Sequence, residues 1–382
     1  MKIVSVVGAR PNFMKIAPFI HEINRYNETA NEKIEHILVH TGQHYDDRMS
    51  KVFFESLNIP EAQVNLGIGS GSHAEQVGQT MIAFEKVLIN EKPDWVIVLG
   101  DVNATLACSV TAKKLNIKVC HIEAGLRSGD ITMPEEINRL VTDRISDLLL
   151  TPDRMSSANL KKEGVEDHRI GFVGNIMIDT LVSNKSKAEE LDITAIVKSN
   201  LIESKEILPD FSNQFAMVTL HRPSNVDHEE ILSALVDFFI NEVTPEMPVI
   251  WSIHPRTHKH LIAFGLWEKL KNNNRIVLLH PIGYHEMLKM NIEARVMLTD
   301  SGGLQEECTV LGTPCLTMRW NTERPITLTE NGGVSVLVGN NVDRIRTEYL
   351  NILNTPSVAV EPELWDGHTA ERCLNEILSF TN

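Results

Sequence analysis

The sequence predicts an α/β protein with two doubly wound parallel sheets, one in each of two domains. Three observations lead there. The chain has 382 residues, more than one hydrophobic core organises. Short β-branched apolar runs alternate with longer stretches of helical period along most of its length. A polar, charged stretch follows "GFVGNIMIDTL", Gly171 to Leu181, and divides that alternation. The domains expected are residues 1–176 and 177–363.

In the first half the strands are "KIVSVV", "EHILVH", "DWVIVLG", "IKVCHIE" and "DLLLT"; in the second they are "FAMVTL", "PVIWSI", "RIVLLH", "RVMLTD" and "TPCLTM". Apolar residues make up 42% and charged residues 23%, enough apolar material for two packed cores. The formal charge of −15, from 36 Lys and Arg against 51 Asp and Glu, argues against a nucleic-acid partner. No apolar run approaches the roughly 20 residues of a membrane span, and "MKIVSVVGARP" passes from a strand into a proline turn, unlike a signal peptide. Five cysteines without CxxC spacing, Cys108, Cys120, Cys308, Cys315 and Cys373, read as buried thiols in a reducing cytoplasm, with no metal site.

Ligands of open parallel sheets bind beyond the carboxyl ends of the strands, so the loops there carry the chemistry. "GARPNFMK" is not GxGxxG, yet Arg10 and Lys15 sit in the first turns of a helix, where the dipole disfavours cations unless an anion shares the site. "VLGDVNAT" places Asp101 just past a strand, a position that also suits a turn or helix cap. In "IKVCHIEAGLRSGD", His121 and Glu123 alternate with apolar residues in a strand buried on both faces, where polar side chains need partners.

"MPEEINR" is explained locally. Pro134 opens a helix, Glu135 and Glu136 complement its dipole, and Glu135 pairs with Arg139 at spacing four. "MVTLHRPSN" puts His221 and Arg222 after a strand, suited to phosphate binding or proton transfer, and "SIHPRTHKHL" repeats this more weakly with His254 and Arg256. "TDSGGLQEE" is an anion loop: Ser301, Gly302 and Gly303 open a helix, and Glu307 stands one turn in, where a carboxylate accepts from a ribose diol.

Together "GARPNFMK", "TGQHYD", "GDVNAT", "HIEAGLRSGD", "MPEEINR", "VTLHRPSN", "TDSGGLQEE" and "NTERP", in this order from Met1 to about Asn340, resemble the non-hydrolysing UDP-N-acetylglucosamine 2-epimerase family. The resemblance implies a glycosyltransferase-B-like pair of Rossmann-type domains with an active-site cleft between them, and a final helix, about 364–382, crossing back to the first domain. It implies interconversion of UDP-GlcNAc and UDP-ManNAc through 2-acetamidoglucal, without NAD or metal, in a cytoplasmic homodimer. By position it makes Asp101, Glu123 and Glu135 the catalytic carboxylates and His221 the catalytic histidine. Arg10, Lys15, Gln43, His44, Arg139, Arg222, Asn225, Arg256 and Arg324 become substrate-binding residues. Ser301, Gly302 and Gly303 would take the phosphates and Glu307 the ribose. On this reading Arg139 supports Glu135, and Glu136 is an ordinary helix residue.

The sequence also departs from the family. "HRREN" reads "HRPSN", "GTRPE" reads "GARPN", and "GIGSGSHAE" lacks an arginine expected for an activating second UDP-GlcNAc. Such variants also stand near epimerases of UDP-2,3-diacetamido-uronic acids, which keeps that substrate open. Hydrolysis to ManNAc and UDP is the other enzymatic alternative; a nucleotide-sugar-binding regulator or a glycosyltransferase would use the same scaffold without this carboxylate set.

Overall fold

The structure is a computed structural model that describes residues 1–8, 10–42, 57, 59–212, 214–356 and 358–381, with the backbone alone at Arg10 and Pro11. The chain forms two units, Met1–Val182 with Pro362–Asn382, and Ser183–Glu361.

In the first unit β1 (Lys2–Val7), α1 (Arg10–Thr29), β2 (Glu35–His40), β3 (Val64–Asn65), α2 (His73–Glu91), β4 (Trp95–Leu99), α3 (Asn103–Lys114), β5 (Lys118–Ile122), α4 (Pro134–Ile145), β6 (Leu148–Thr151), α5 (Arg154–Lys162) and β7 (Ile170–Phe172) follow one another. Their sheet is parallel, in the order β3-β2-β1-β4-β5-β6-β7. Strands such as "WVIVL" are buried at every residue, as helices on both faces require. The chain winds outward in both directions from the adjacent β1 and β4. Their diverging carboxyl ends open the crevice in which such sheets bind ligands.

The junction between the units lies inside α6 (Ile176–Glu189). The second unit continues with α7 (Ile193–Asn200), β8 (Ala216–Thr219), α8 (Pro223–Val226), α9 (Glu229–Phe238), β9 (Val249–Ser252), α10 (Pro255–Ala263), α11 (Trp267–Lys271), β10 (Ile276–Leu279), α12 (Tyr284–Glu293), β11 (Val296–Thr299), α13 (Gly302–Leu311), β12 (Cys315–Thr317), β13 (Ser335–Leu337) and α14 (Val342–Asn354). Its sheet, β10-β9-β8-β11-β12-β13, is also parallel and has its switch between β8 and β11. Trp251, Phe238, Phe239 and Tyr349 anchor the core on one face of this sheet. All five cysteines are free and buried. No helix among the described residues is long and apolar enough to cross a membrane.

The last helix, α15 (Thr369–Thr381), belongs to the first unit. Phe380 meets Trp95 edge-on at 5.7 Å, and Trp95 Nε1 donates to Thr381 Oγ1 at 2.9 Å. At its other end the backbone amides of Thr369 and Ala370 donate to the buried Asp179 carboxylate at 3.0 and 2.7 Å. Asp179 thus caps α15 from a different helix, satisfying two amides that have no partner within α15. Asp179→Ala should cost about 1–2 kcal/mol in the first unit, read as a lower urea midpoint; an unchanged midpoint would contradict the cap.

Candidate functional site

Each unit assembles a polar constellation at its own switch point. In the first unit it starts at Gly100, directly after β4. Gly100 has φ +63°, and a Cβ there would stand 3.1 Å from Lys15 Nζ and 3.3 Å from Glu123 Oε2. The left-handed backbone disfavours a side chain here, and a Cβ would press on the tips of Lys15 and Glu123. Lys15 reaches over this glycine from α1 to form an ion pair with Glu123, and both are buried. Glu123 holds φ +69°, a costly conformation for a residue with a Cβ, and such outliers persist where surrounding contacts impose them. The cation expected to await an anion therefore lies against a carboxylate.

Asp101 is held by Arg139, whose Nε and Nη2 donate to Oδ2 at 3.0 and 2.6 Å. The Asp101 carbonyl accepts from Asn138 Nδ2 at 2.8 Å. Arg139 Nη1 also pairs with Glu136, which accepts from the amides of Ser128 and Gly129 at 3.0 and 3.1 Å. Here the structure corrects the sequence reading. Arg139 bonds Asp101 and Glu136; it does not form the expected spacing-four pair with Glu135. Glu136 is already fixed by two amides and shielded from water, so the pair at spacing three is the stronger one. Glu136, expected to be ordinary, is 3% exposed, whereas Glu135 is exposed and makes no hydrogen bond or ion pair among the described residues.

These contacts follow from an inverted helix. In α4 the buried residues are Glu136, Asn138, Arg139, Thr142 and Asp143, while Ile137 and Val141 face outward. Glu136, Arg139 and Asp143 recur at spacings of three and four, hence on one face. Asp143 accepts from the amide of Gly125 at 3.0 Å and pairs with Arg127 at 2.7 Å and with His121 Nδ1 at 2.6 Å. Burial alone would push the Asp143 carboxyl up, but His121 and Arg127 outweigh it and hold it below the usual range.

In the second unit β8 and β11 run in register, Thr219 opposite Thr299, with their hydroxyls 2.6 Å apart. His221 and Asp300 follow. The buried Asp300 carboxylate accepts from the amides of His221 and Arg222 at 3.0 and 2.9 Å, from Asn225 Nδ2 at 3.0 Å, and meets His221 Nδ1 at 2.8 Å. Burial would raise its pKa, but His221 and the other donors lower it overall. Asp300 is a site residue that the sequence reading does not single out, although the signal is there: like Asp101, it stands within two residues of a strand's carboxyl end at the switch. Arg222 and Asn225 also converge on Asp300, since Arg222 Nε donates to its carbonyl at 3.0 Å.

Ser301 precedes α13 without capping it with its side chain, so the helix opens on the backbone amides of two glycines. A Cβ on Gly302 would come within 2.9 Å of Glu323 Oε1 and 3.1 Å of Arg324 Nη1. Arg324, expected on substrate, is buried between Glu306, at 2.8 Å, and Glu323, which also pairs with Arg319 at 2.7 Å. Arg256 is bidentate on Asp227, with its Nε at 2.7 Å, and lies at the surface. Glu307 is wholly buried. Its carboxyl is pushed up to about 7, chiefly by burial and further by Glu306, while Tyr284 and Asn291 offset part of the rise. Gln43 and His44 lie outside the described residues, as does the Arg10 side chain. No cluster of metal-binding residues occurs among the described residues.

A model of the UDP-N-acetylglucosamine 2-epimerase family matches residues 27–378. The chain belongs to that family. It is 43% identical to a UDP-N-acetylglucosamine 2-epimerase of Methanocaldococcus jannaschii, over 100% of this chain and 99% of the relative. It is 38% identical to a UDP-2,3-diacetamido-2,3-dideoxy-D-glucuronate 2-epimerase of Pseudomonas aeruginosa, over 99% of each. The crystal structure of the M. jannaschii UDP-GlcNAc 2-epimerase in complex with UDP-GlcNAc and UDP has TM-score 0.87 and 42% identity, with 100% of both chains covered. The two-sheet α/β architecture is thus the family's own, and the chain is an enzyme of an epimerase family.

Glu307 gives a pH test. Its folded pKa of about 7 exceeds its ordinary 4.5. The stability linked to its proton is complete below pH 4.5 and is lost as pH rises through 7. Glu307→Gln should therefore stabilise the second unit by on the order of 3 kcal/mol at pH 8 and leave it unchanged near pH 4. Urea denaturation at both values, followed by the fluorescence of Trp251 and Trp267, would contradict this if the two gains were equal.

Proposed function

We propose that this enzyme interconverts UDP-GlcNAc and UDP-ManNAc by eliminating UDP and the C2 proton to give 2-acetamidoglucal, then re-adding both with the proton on the opposite face. The observation that carries the proposal is the carboxylate set of the first unit: Asp101 and Glu123, each on a buried cation at the switch point, with exposed Glu135 opening α4.

The C2 hydrogen is not adjacent to a carbonyl, so departure of UDP must supply much of the driving force for its removal. Inversion needs proton removal on one face and delivery on the other, hence at least two acid or base groups. In the second unit the opening amides of α13 suit a phosphate. His221 keeps Nδ1 on Asp300, so its orientation is set and its other nitrogen is directed by the ring. A buried carboxyl with a pKa of about 7 suits Glu307 to a ribose diol, whose two hydroxyls would donate to its ionised form.

The test is incubation with UDP-GlcNAc in deuterated water, with C2 followed by NMR. The expected result is deuterium at C2 and formation of UDP-ManNAc. Absence of both contradicts the proposal, and accumulating free ManNAc replaces it with hydrolysis. The P. aeruginosa relative favours a second substrate, so the same assay includes the diacetamido-glucuronate; turnover of that compound alone would move the substrate and keep the chemistry. Glu135→Gln should lower exchange by about 10²-fold or more with UDP affinity unchanged, and Asp300→Asn should lower kcat by a similar factor. Near-normal turnover in either variant removes that residue from the mechanism.

A further inference from the structure

We propose that His121 is a positioning residue that locks the Gly100–Asp101 peptide and thereby aims Asp101; this rests on the catalytic role given to Asp101 above. His121 is completely buried in β5. Its Nε2 lies 2.8 Å from the Gly100 carbonyl oxygen, and its Nδ1 lies 2.6 Å from Asp143 Oδ1. A carbonyl oxygen only accepts, so Nε2 donates. The ring thus spans from the buried face of α4 to the turn that follows β4.

That turn needs a lock. Gly100 has no Cβ, and glycine populates positive and negative φ about equally, so the peptide it shares with Asp101 has little intrinsic preference. The N–H of Gly100, in the preceding peptide, donates to the Ile122 carbonyl at 3.2 Å and fixes the near side of the turn. The Gly100 carbonyl is fixed by His121. A flip of this peptide would reverse the carbonyl and redirect the Asp101 side chain away from Arg139. The charged groups facing the ring are Asp143 and, through it, Arg127, which also pairs with Glu163 at 2.7 Å. Asp143 has three partners besides solvent-free packing, so the histidine is braced from behind and pushes the turn into one orientation. Asp101 is therefore secured from α4 at three points: on its carboxylate through Arg139, on its carbonyl through Asn138, and on the preceding peptide through Asp143 and His121.

Two substitutions separate this role from simple satisfaction of Asp143. An asparagine places its amide nitrogen where Nδ1 was, and a glutamine places its own where Nε2 was. His121→Asn keeps a donor for Asp143 and loses the one for Gly100; His121→Gln does the reverse. The expected result is a fall in kcat of about 10²-fold in His121→Asn with KM for the UDP-sugar within about twofold, and recovery to within about tenfold of wild type in His121→Gln. The opposite order, or wild-type kcat in both variants, overturns the proposal. Backbone hydrogen exchange at Asp101 and Val102, measured without substrate, should rise in His121→Asn and stay near wild type in His121→Gln. This readout is independent of which sugar is turned over, so its failure counts against His121 alone. If neither variant folds, 15N-histidine NMR of the wild-type protein decides: a slowly exchanging Nε2 proton is expected, and one that exchanges freely with solvent overturns the assignment.

Discussion

The first unit depends on one constraint: charges taken out of water must be paired, and α4 supplies the partners. A helix packed on a parallel sheet ordinarily turns apolar residues inward. In α4 the inward positions are Glu136, Asn138, Arg139, Thr142 and Asp143. Each would be costly alone. Together they neutralise one another and anchor the groups at the switch point, Asp101 through Arg139 and the Gly100 carbonyl through His121. The helix gives up apolar burial for a rigid polar frame, which is what preorganised acid–base groups require.

The second unit applies the same rule at its own switch point, beyond β8 and β11. Asp300 gathers backbone amides, Asn225 and His221 into one buried node. Arg319, Arg324, Glu306 and Glu323 form a compact charge network against Gly302, where α13 begins. A Cβ on Gly302 would press on the tips of Glu323, Arg324 and Arg319 and force this network to shift, which accounts for the residue better than turn formation does, because its φ is not left-handed. Arg324 thus braces the start of α13 through Glu306 and Glu323.

The fold was legible because parallel strands buried on both faces read as continuous apolar runs, and all ten such runs are strands. β3, β7 and β13, of two or three residues at or next to the sheet edges, carry too little pattern to be read. The loops of the site were legible for the same topological reason. Partner choice was not. Local rules pair Glu135 with Arg139 and leave Glu136 idle, yet the choice between adjacent glutamates depends on which one faces the sheet, and that is decided by tertiary packing. Asp300 takes its role from His221, Arg222 and Asn225, and Lys15 takes its partner from Glu123, all distant in sequence and adjacent in space.

In the proposed mechanism the bond between C1 and the UDP oxygen breaks during epimerisation. The direct measurement uses UDP-GlcNAc labelled with 18O in the oxygen joining C1 to the β-phosphate. Elimination frees UDP, whose β-phosphate rotates, so the account predicts that recovered UDP-GlcNAc carries the label partly in non-bridging positions. Label that stays wholly in the bridge while C2 inverts would contradict it.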